Sequence, residues 1–244
     1  MCAPASTLPV RRPGPGAPPL EVRWLGRVPY GEALELQRAL IAERRAGAIP
    51  DQLLLLEHDH VITLGTSASA EHVLLGPDER RLLGIELFET GRGGDVTYHG
   101  PGQLVGYPIL ALEPARRDLH RYVRDLEQAL IQALAGLDIT ATRLAGLTGV
   151  WVGERKIAAI GVRVSSGWIT SHGFALNVAT ELSFFDAIVP CGIRDRAVTS
   201  IDRERTGAFD RRAAGDRVAA ELAAVFGRAP SPVRDESTNT SRRT

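Results

Sequence analysis

The chain has 244 residues, of which 44% are hydrophobic and 24% charged, the composition of an ordinary globular protein with one large domain or two small ones. Its 29 Lys+Arg balance 29 Asp+Glu to a formal charge of +0, so there is no global basic field to hold nucleic acid. No apolar run approaches the roughly 20 residues a bilayer-spanning helix needs, which excludes a membrane span.

Residues 1–20, ending in PGPGAPPL, read as a disordered Pro/Gly-rich tail. The segment lacks the apolar stretch of a secretory signal, and its prolines forbid the amphipathic helix of a transit peptide, so the expected location is cytoplasmic. A single folded domain is expected over 21–228, with no internal repeat, and 229–244 reads as a second disordered tail. Within the domain, EVRWLG (21–26) suggests a strand, and Ala33, Leu36, Leu40 and Ile41 mark a helix over 30–45. Strands follow at QLLLLEH (52–58), IELFET (85–90), DVTYH (95–99) and LVGYPILAL (104–112). Asp118 is placed to cap a second helix whose apolar stripe runs from Leu119 to Leu137. GVWVG (149–153), KIAAIGVRVS (156–165) and HGFALNV (172–178) complete the strands, and Ala214, Val218, Leu222, Val225 and Phe226 mark a third helix. Three helices against about eight clustered strands predict an α+β fold with a mixed, largely antiparallel sheet packed with helices.

Three segments concentrate chemistry. In GRGGDVTYHGPGQ (91–103), five glycines in thirteen residues permit close backbone approach to a ligand, with Arg92, Thr97, Tyr98 and His99 between them. The alternative is a tight hairpin with HGPG as its turn. The segment lacks the Lys-Ser/Thr of a phosphate-binding loop. Lys156, in GERKIAAIG (153–161), is the only lysine in a chain that otherwise takes its positive charge from arginine. A strand lysine facing solvent is the ordinary reading, whereas one half-buried among small residues can exchange a proton near neutrality. Cys191 sits in IVPCGI (188–193), where flanking Pro and Gly argue against regular structure. Either it is a small buried hydrophobe or a reactive thiol, and backbone amides in such a loop can hold an oxyanion. Cys2 and Cys191 cannot form a disulfide framework, which fits a reducing compartment. The spacings of His58, His60, His99, His172 and Cys191 match no CxxC, HxxxH or HExxH motif, so no metal is expected. His58 and His60 are expected on one face of a strand, as a polar surface pair.

In this order, RGGDVTYHGPGQLVGYPIL, GERKIAAIGVRV, HGFALNV and IVPCGI resemble the lipoyl(octanoyl)transferases over about residues 50–202, and LEHDHVITLG (56–65) resembles that family's early strand segment. The resemblance implies the biotin/lipoate protein ligase-like fold. It implies that Cys191 is the acyl-accepting nucleophile, activated by Lys156. Substrate contacts would come from Arg92, Gly93, Gly94, Asp95, Val96, Thr97, Tyr98 and His99, from Ala159, Ile160 and Gly161, and from Gly173, Phe174 and Ala175. Asp95 occupies a position where the family varies. The implied donor is octanoyl-acyl carrier protein, whose phosphopantetheine belongs to the substrate, so no resident cofactor is expected. The implied acceptors are lipoyl domains of 2-oxoacid dehydrogenase complexes and the glycine cleavage H protein, served by a monomer. Two rival readings are an ATP-dependent lipoate or biotin ligase of the same fold and a non-catalytic acyl-carrier-binding module.

Overall fold

A computed structural model describes residues 14, 16–189, 197–205 and 210–237. In chain order it contains β1 (Pro19–Arg27), α1 (Tyr30–Arg45), β2 (Asp51–Glu57), β3 (Val61–Leu64), α2 (Pro77–Leu82), β4 (Glu86–Glu89), β5 (Val96–His99) and β6 (Gln103–Ile109). After these come α3 (Leu119–Ala135), β7 (Thr142–Leu144), β8 (Leu147–Val152), β9 (Arg155–Ser165) and β10 (Ile169–Asn177). The chain ends with α4 (Ile201–Glu204), α5 (Arg211–Phe226), β11 (Ala229–Pro230) and β12 (Arg234–Asp235). Among the described residues no helix is long and apolar enough to cross a membrane.

The main sheet runs β11-β1-β2-β6-β10-β9-β8-β7, with β12 also on β1, and a small sheet runs β4-β3-β5. β1 pairs in parallel with β2, β11 and β12, while the ladders from β2 through β7 are antiparallel, the mixed and largely antiparallel arrangement expected from sequence. The run DQLLLLE becomes a central strand because every one of its residues is buried. Leu53 and Leu55 face the cluster built with α3 and α5, whereas Leu54 and Leu56 face the cluster built with α1. The period-two alternation of a strand thus divides four consecutive leucines between two cores. α3 buries Tyr122, Leu126, Leu130 and Leu134 on one stripe, and its Asp118 cap accepts a hydrogen bond from Arg121 N at 3.1 Å. α5 begins at Asp210, which accepts from Arg212 N at 2.9 Å, and ends at Gly227, whose φ of 65° closes the helix in the left-handed conformation.

Several expectations are corrected. HGPG is not a hairpin turn, because β5 pairs with β3 in the small sheet while β6 pairs with β2 and β10 in the main one. The glycine-rich turn hands the chain from one sheet to the other. His58 and His60 do not share a strand face, since β2 ends at Glu57 and the chain crosses between sheets there. His58 is fully buried and its Nδ1 lies 2.7 Å from Val28 O, a carbonyl that only accepts, so Nδ1 carries the proton and Nε2 accepts from the Tyr107 hydroxyl. His60 turns to the other sheet, with Nδ1 2.7 Å from the Tyr98 hydroxyl. Sequence reading also missed α2, β3 as a separate strand, and β7. Pro19 and Leu20, placed in the first tail, belong to β1, and residues 229–237, placed in the second, add two short parallel strands to β1. These residues lack apolar periodicity because they hold the sheet edge through backbone bonds, such as Ala229 N to Pro18 O and Glu236 N to Trp24 O. The tails' remaining residues, 1–13, 15 and 238–244, lie outside the described residues.

One buried carboxylate ties the layers together. Asp51, at the start of β2, accepts from Arg44 Nε at 2.7 Å, from Arg228 Nε at 2.8 Å and from Ala111 N at 2.9 Å. It therefore joins the ends of α1, α5 and β6 at 2% exposure. Truncating one member of such a buried pair leaves the remaining charge uncompensated, so Asp51→Ala is expected to cost about 3–5 kcal/mol in chemical denaturation. A loss below about 1 kcal/mol, the level of an exposed ion pair, would show that water satisfies both arginines.

Candidate active site

The glycine-rich segment is held from two sides. Gly65 N donates to Asp95 O, Thr66 N to Arg92 O and Ser67 N to Gly94 O, while Gly93 N donates to Val162 O of β9 at 2.8 Å. The approach leaves no room for side chains. A Cβ at Gly65 would stand 2.1 Å from Gly94 O, and one at Gly161 would stand 2.9 Å from Gly93 O. The segment thereby bridges the two sheets and walls a cavity of about 520 Å³.

Arg92, Gly93, Gly94, Asp95, Val96, Thr97, His99, Lys156, Ala159, Ile160, Gly161, Gly173, Phe174 and Ala175 all line this cavity. Tyr98 does not. Strand alternation sends it into the small-sheet cluster, where its ring is parallel to that of Phe184 at 5.5 Å and its hydroxyl meets His60. Cys191 lies outside the described residues. The cavity also takes Tyr30, Tyr107, Leu119, Val123, His172 and Phe185, which motif reading did not assign to the site and which come from α1, β6, α3, β10 and the turn at 182–187. Of these, His172 was within reach, since it opens the HGFALNV motif.

Lys156 is partly buried, with Nζ 4.8 Å from the centre of the Trp151 ring on neighbouring β8. Its stem passes over Gly149, where a Cβ would come within 3.3 Å of Lys156 Cε. Gly149 N is in turn held by the buried carboxylate of Glu127 at 3.0 Å. The backbone of Lys156 is bonded on both sides: its N donates to Ala197 O at 3.0 Å, and its O accepts from Thr199 N at 2.9 Å. On the other side of residues 190–196, Val189 N donates to His72 O at 2.8 Å, and His72 Nδ1 lies 2.6 Å from Asp95 Oδ2. Asp95 thus connects the glycine-rich segment to the chain that leads into IVPCGI.

Arg92 is buried by its stem and head, donating from Nη2 to Thr63 O at 2.7 Å and to Thr63 Oγ1 at 2.9 Å. Its charge lies among rings that burial keeps neutral. Desolvation pushes His99 down to about 3, His58 to about 4 and His172 to about 4, with Arg92 adding to the effect on His99 and His172. Burial likewise raises the Tyr30 hydroxyl to about 12 and the Tyr107 hydroxyl well above its usual range. The cavity wall is therefore polar but uncharged around these rings, and its basic side chains are Arg92, Arg124 and Lys156. Among the described residues no three His, Cys, Asp or Glu side chains converge as a metal-ligand set.

Residues 29–223 match the family model described as the lipoyl protein ligase A/B catalytic domain. The chain belongs to that family. It is 58% identical to an octanoyltransferase of Rubrobacter xylanophilus over 76% of this chain and 84% of the relative. It is 49% identical to an octanoyltransferase of Chloroflexus aurantiacus over 86% of this chain and 96% of the relative. With relatives of this kind over most of its length, the chain is an acyltransferase. A lipoate-protein ligase A bound with ATP superposes with a TM-score of 0.69 at 19% identity, covering 90% of this chain and 92% of the other. A bipartite lipoate protein ligase from Thermoplasma acidophilum gives 0.69 at 18%, covering 91% and 90%. The last two establish the shared fold, the biotin/lipoate protein ligase-like architecture.

The three buried histidines make stability pH-dependent. Each is neutral in the fold but titrates near about 6.5 when unfolded, so below that pH the unfolded chain binds more protons. Stability is therefore complete above about 6.5 and is expected to fall as the pH drops toward 4, measured as a declining denaturation midpoint, with a shallower decline in His58→Gln. A midpoint that stays level across this window would mean the imidazoles accept protons in place.

Proposed function

We propose that this family member transfers an octanoyl group from the thioester of an acyl carrier protein to a lysine of lipoyl domains, by way of a thioester on Cys191. The observation that carries the reading is the position of Lys156, the chain's sole lysine. It lines the cavity beside the glycine-rich wall, and its backbone N–H and C=O both bond to residues 197–199, which follow the Cys191 segment.

In the first half-reaction the Cys191 thiolate attacks the octanoyl carbonyl carbon. The bond from that carbon to the carrier's sulfur breaks, and the departing thiolate takes a proton from the Lys156 ammonium. Before that step the ammonium favours the attacking anion. In the second half-reaction the acceptor amine attacks the Cys191 thioester, the carbon–sulfur bond breaks, an amide forms, and the amine's proton passes to Lys156. The net change is thioester plus amine to amide plus thiol. Thioester exchange is nearly isoenergetic and amide formation is downhill, so neither ATP nor a resident cofactor is required. The acceptors are taken to be the lipoyl domains of 2-oxoacid dehydrogenase complexes and the glycine cleavage H protein, and the enzyme to act as a cytoplasmic monomer.

Mixing the protein with octanoyl-acyl carrier protein, without acceptor or ATP, is expected to raise its intact mass by one octanoyl group, located at Cys191 by peptide mapping. Turnover on adding a lipoyl domain with no prior mass gain would instead mean direct transfer.

Lys156→Arg separates charge from proton transfer, because guanidinium stays protonated up to a pKa above about 12. Single-turnover measurements are expected to show acylation partly preserved and deacylation onto the lipoyl domain slowed, whereas Lys156→Ala is slow in both. Wild-type deacylation in Lys156→Arg would assign the amine's proton to another group.

A further inference from the structure

A chain of hydrogen bonds runs behind the cavity wall, and its direction is fixed at each link. Asn177, at the end of β10, donates from Nδ2 to Thr199 O at 3.0 Å, and a carbonyl can only accept. Asn177 Oδ1 therefore faces Gln103, which donates to it from Nε2 at 3.0 Å and to Tyr98 O at 3.2 Å. Gln103 is left with Oε1 as an acceptor, 2.7 Å from His99 Nδ1. The proton must then sit on Nδ1, and Nε2 carries a lone pair. Gln103 and Asn177 are 1% and 3% exposed, so water does not compete with this order. Thr199, where the chain begins, also donates its N–H to Lys156 O.

We propose that Gln103 and Asn177 are positioning residues that hold His99 as its Nδ1–H tautomer, so that Nε2 accepts a hydrogen bond from a substrate N–H in the cavity. The inference deepens the acyl-transfer reading and rests on it. His99 lines the cavity, and among the described residues its hydrogen bond is made by Nδ1, so Nε2 is the nitrogen placed for a ligand. Burial keeps the ring uncharged at neutral pH, so it acts as an acceptor and not as a competing cation. Two parts of the reaction offer an N–H: the amide beside the donor thioester and the amine of the acceptor lysine.

The first readout is the imidazole nitrogen spectrum of ¹⁵N-histidine-labelled protein at pH 7. Wild type is expected to show His99 with a protonated Nδ1 and a pyridine-like Nε2, and an Nε2–H form overturns the proposal before any variant is made. Gln103→Leu is expected to release the tautomer, giving a mixture of Nδ1–H and Nε2–H forms. The second readout separates the two sources of N–H by measuring each half-reaction in Gln103→Leu and His99→Phe. If the donor amide is bound, KM for octanoyl-N-acetylcysteamine rises about tenfold, while KM for an octanoyl thioester of methyl mercaptoacetate, which has no N–H, is unchanged. If the acceptor amine is bound, acylation is unchanged and deacylation onto the lipoyl domain slows about tenfold. Wild-type rates for His99→Phe in both half-reactions would refute the contact. Failure of the acyl-transfer reading itself is distinct, since wild type would then gain no octanoyl mass.

Discussion

Three backbones meet around Gly65, Gly93 and Gly161 at distances that no side chain permits, and this contact creates the cavity. Residues 65–67 bond to one edge of the glycine-rich segment while Val162 O bonds to the other. A Cβ at Gly65 or Gly161 would enter a carbonyl of that segment. This contact ties the small sheet to the main one apart from the two places, 58–60 and 100–102, where the chain itself crosses between them. The glycines are therefore needed first for the joining of two sheets, and the ligand surface follows from that joint.

The same joint explains why buried polar groups are concentrated there. Side chains at the seam face neither a pure sheet core nor solvent, so each must find a partner or lose the hydrogen bonds it made in water. His58 finds Val28 and Tyr107, His99 finds Gln103, and Arg92 finds Thr63. Burial holds these histidines uncharged at neutral pH. Three basic side chains, Arg92, Arg124 and Lys156, line the cavity, and of these a lysine is the type able to give up its proton within ordinary chemistry.

Arginine serves the opposite need elsewhere. Arg228 and Arg44 converge on Asp51, and Arg124 and Arg143 on Glu127, which in turn holds Gly149 beneath the Lys156 stem. A planar guanidinium can satisfy a buried carboxylate from a fixed direction without changing charge. Arginines so placed brace the frame, while the chain's sole lysine lines the cavity.

The three long helices, most strands and the glycine-rich segment were legible in the sequence because they depend on local rules. Asp118 before an apolar stripe sets a helix start, alternation in KIAAIGVRVS sets a strand, and glycine density in 91–103 announces close backbone approach. Which glycine contact forms was not legible, since HGPG reads as a hairpin turn until the sheet assignment of β5 and β6 is known. The side-chain directions at the seam were not legible either. Tyr98 leaves the cavity and Tyr107 and His172 enter it because strand registers set by distant pairings decide which face each residue presents, while Tyr30 reaches it from α1. By itself the sequence determined the chemistry available, a lone lysine, a cysteine between Pro and Gly, and a glycine-rich segment. Only the tertiary structure decided which described groups share a cavity and which protons they keep, because burial and hydrogen-bond direction arise between segments far apart in the chain.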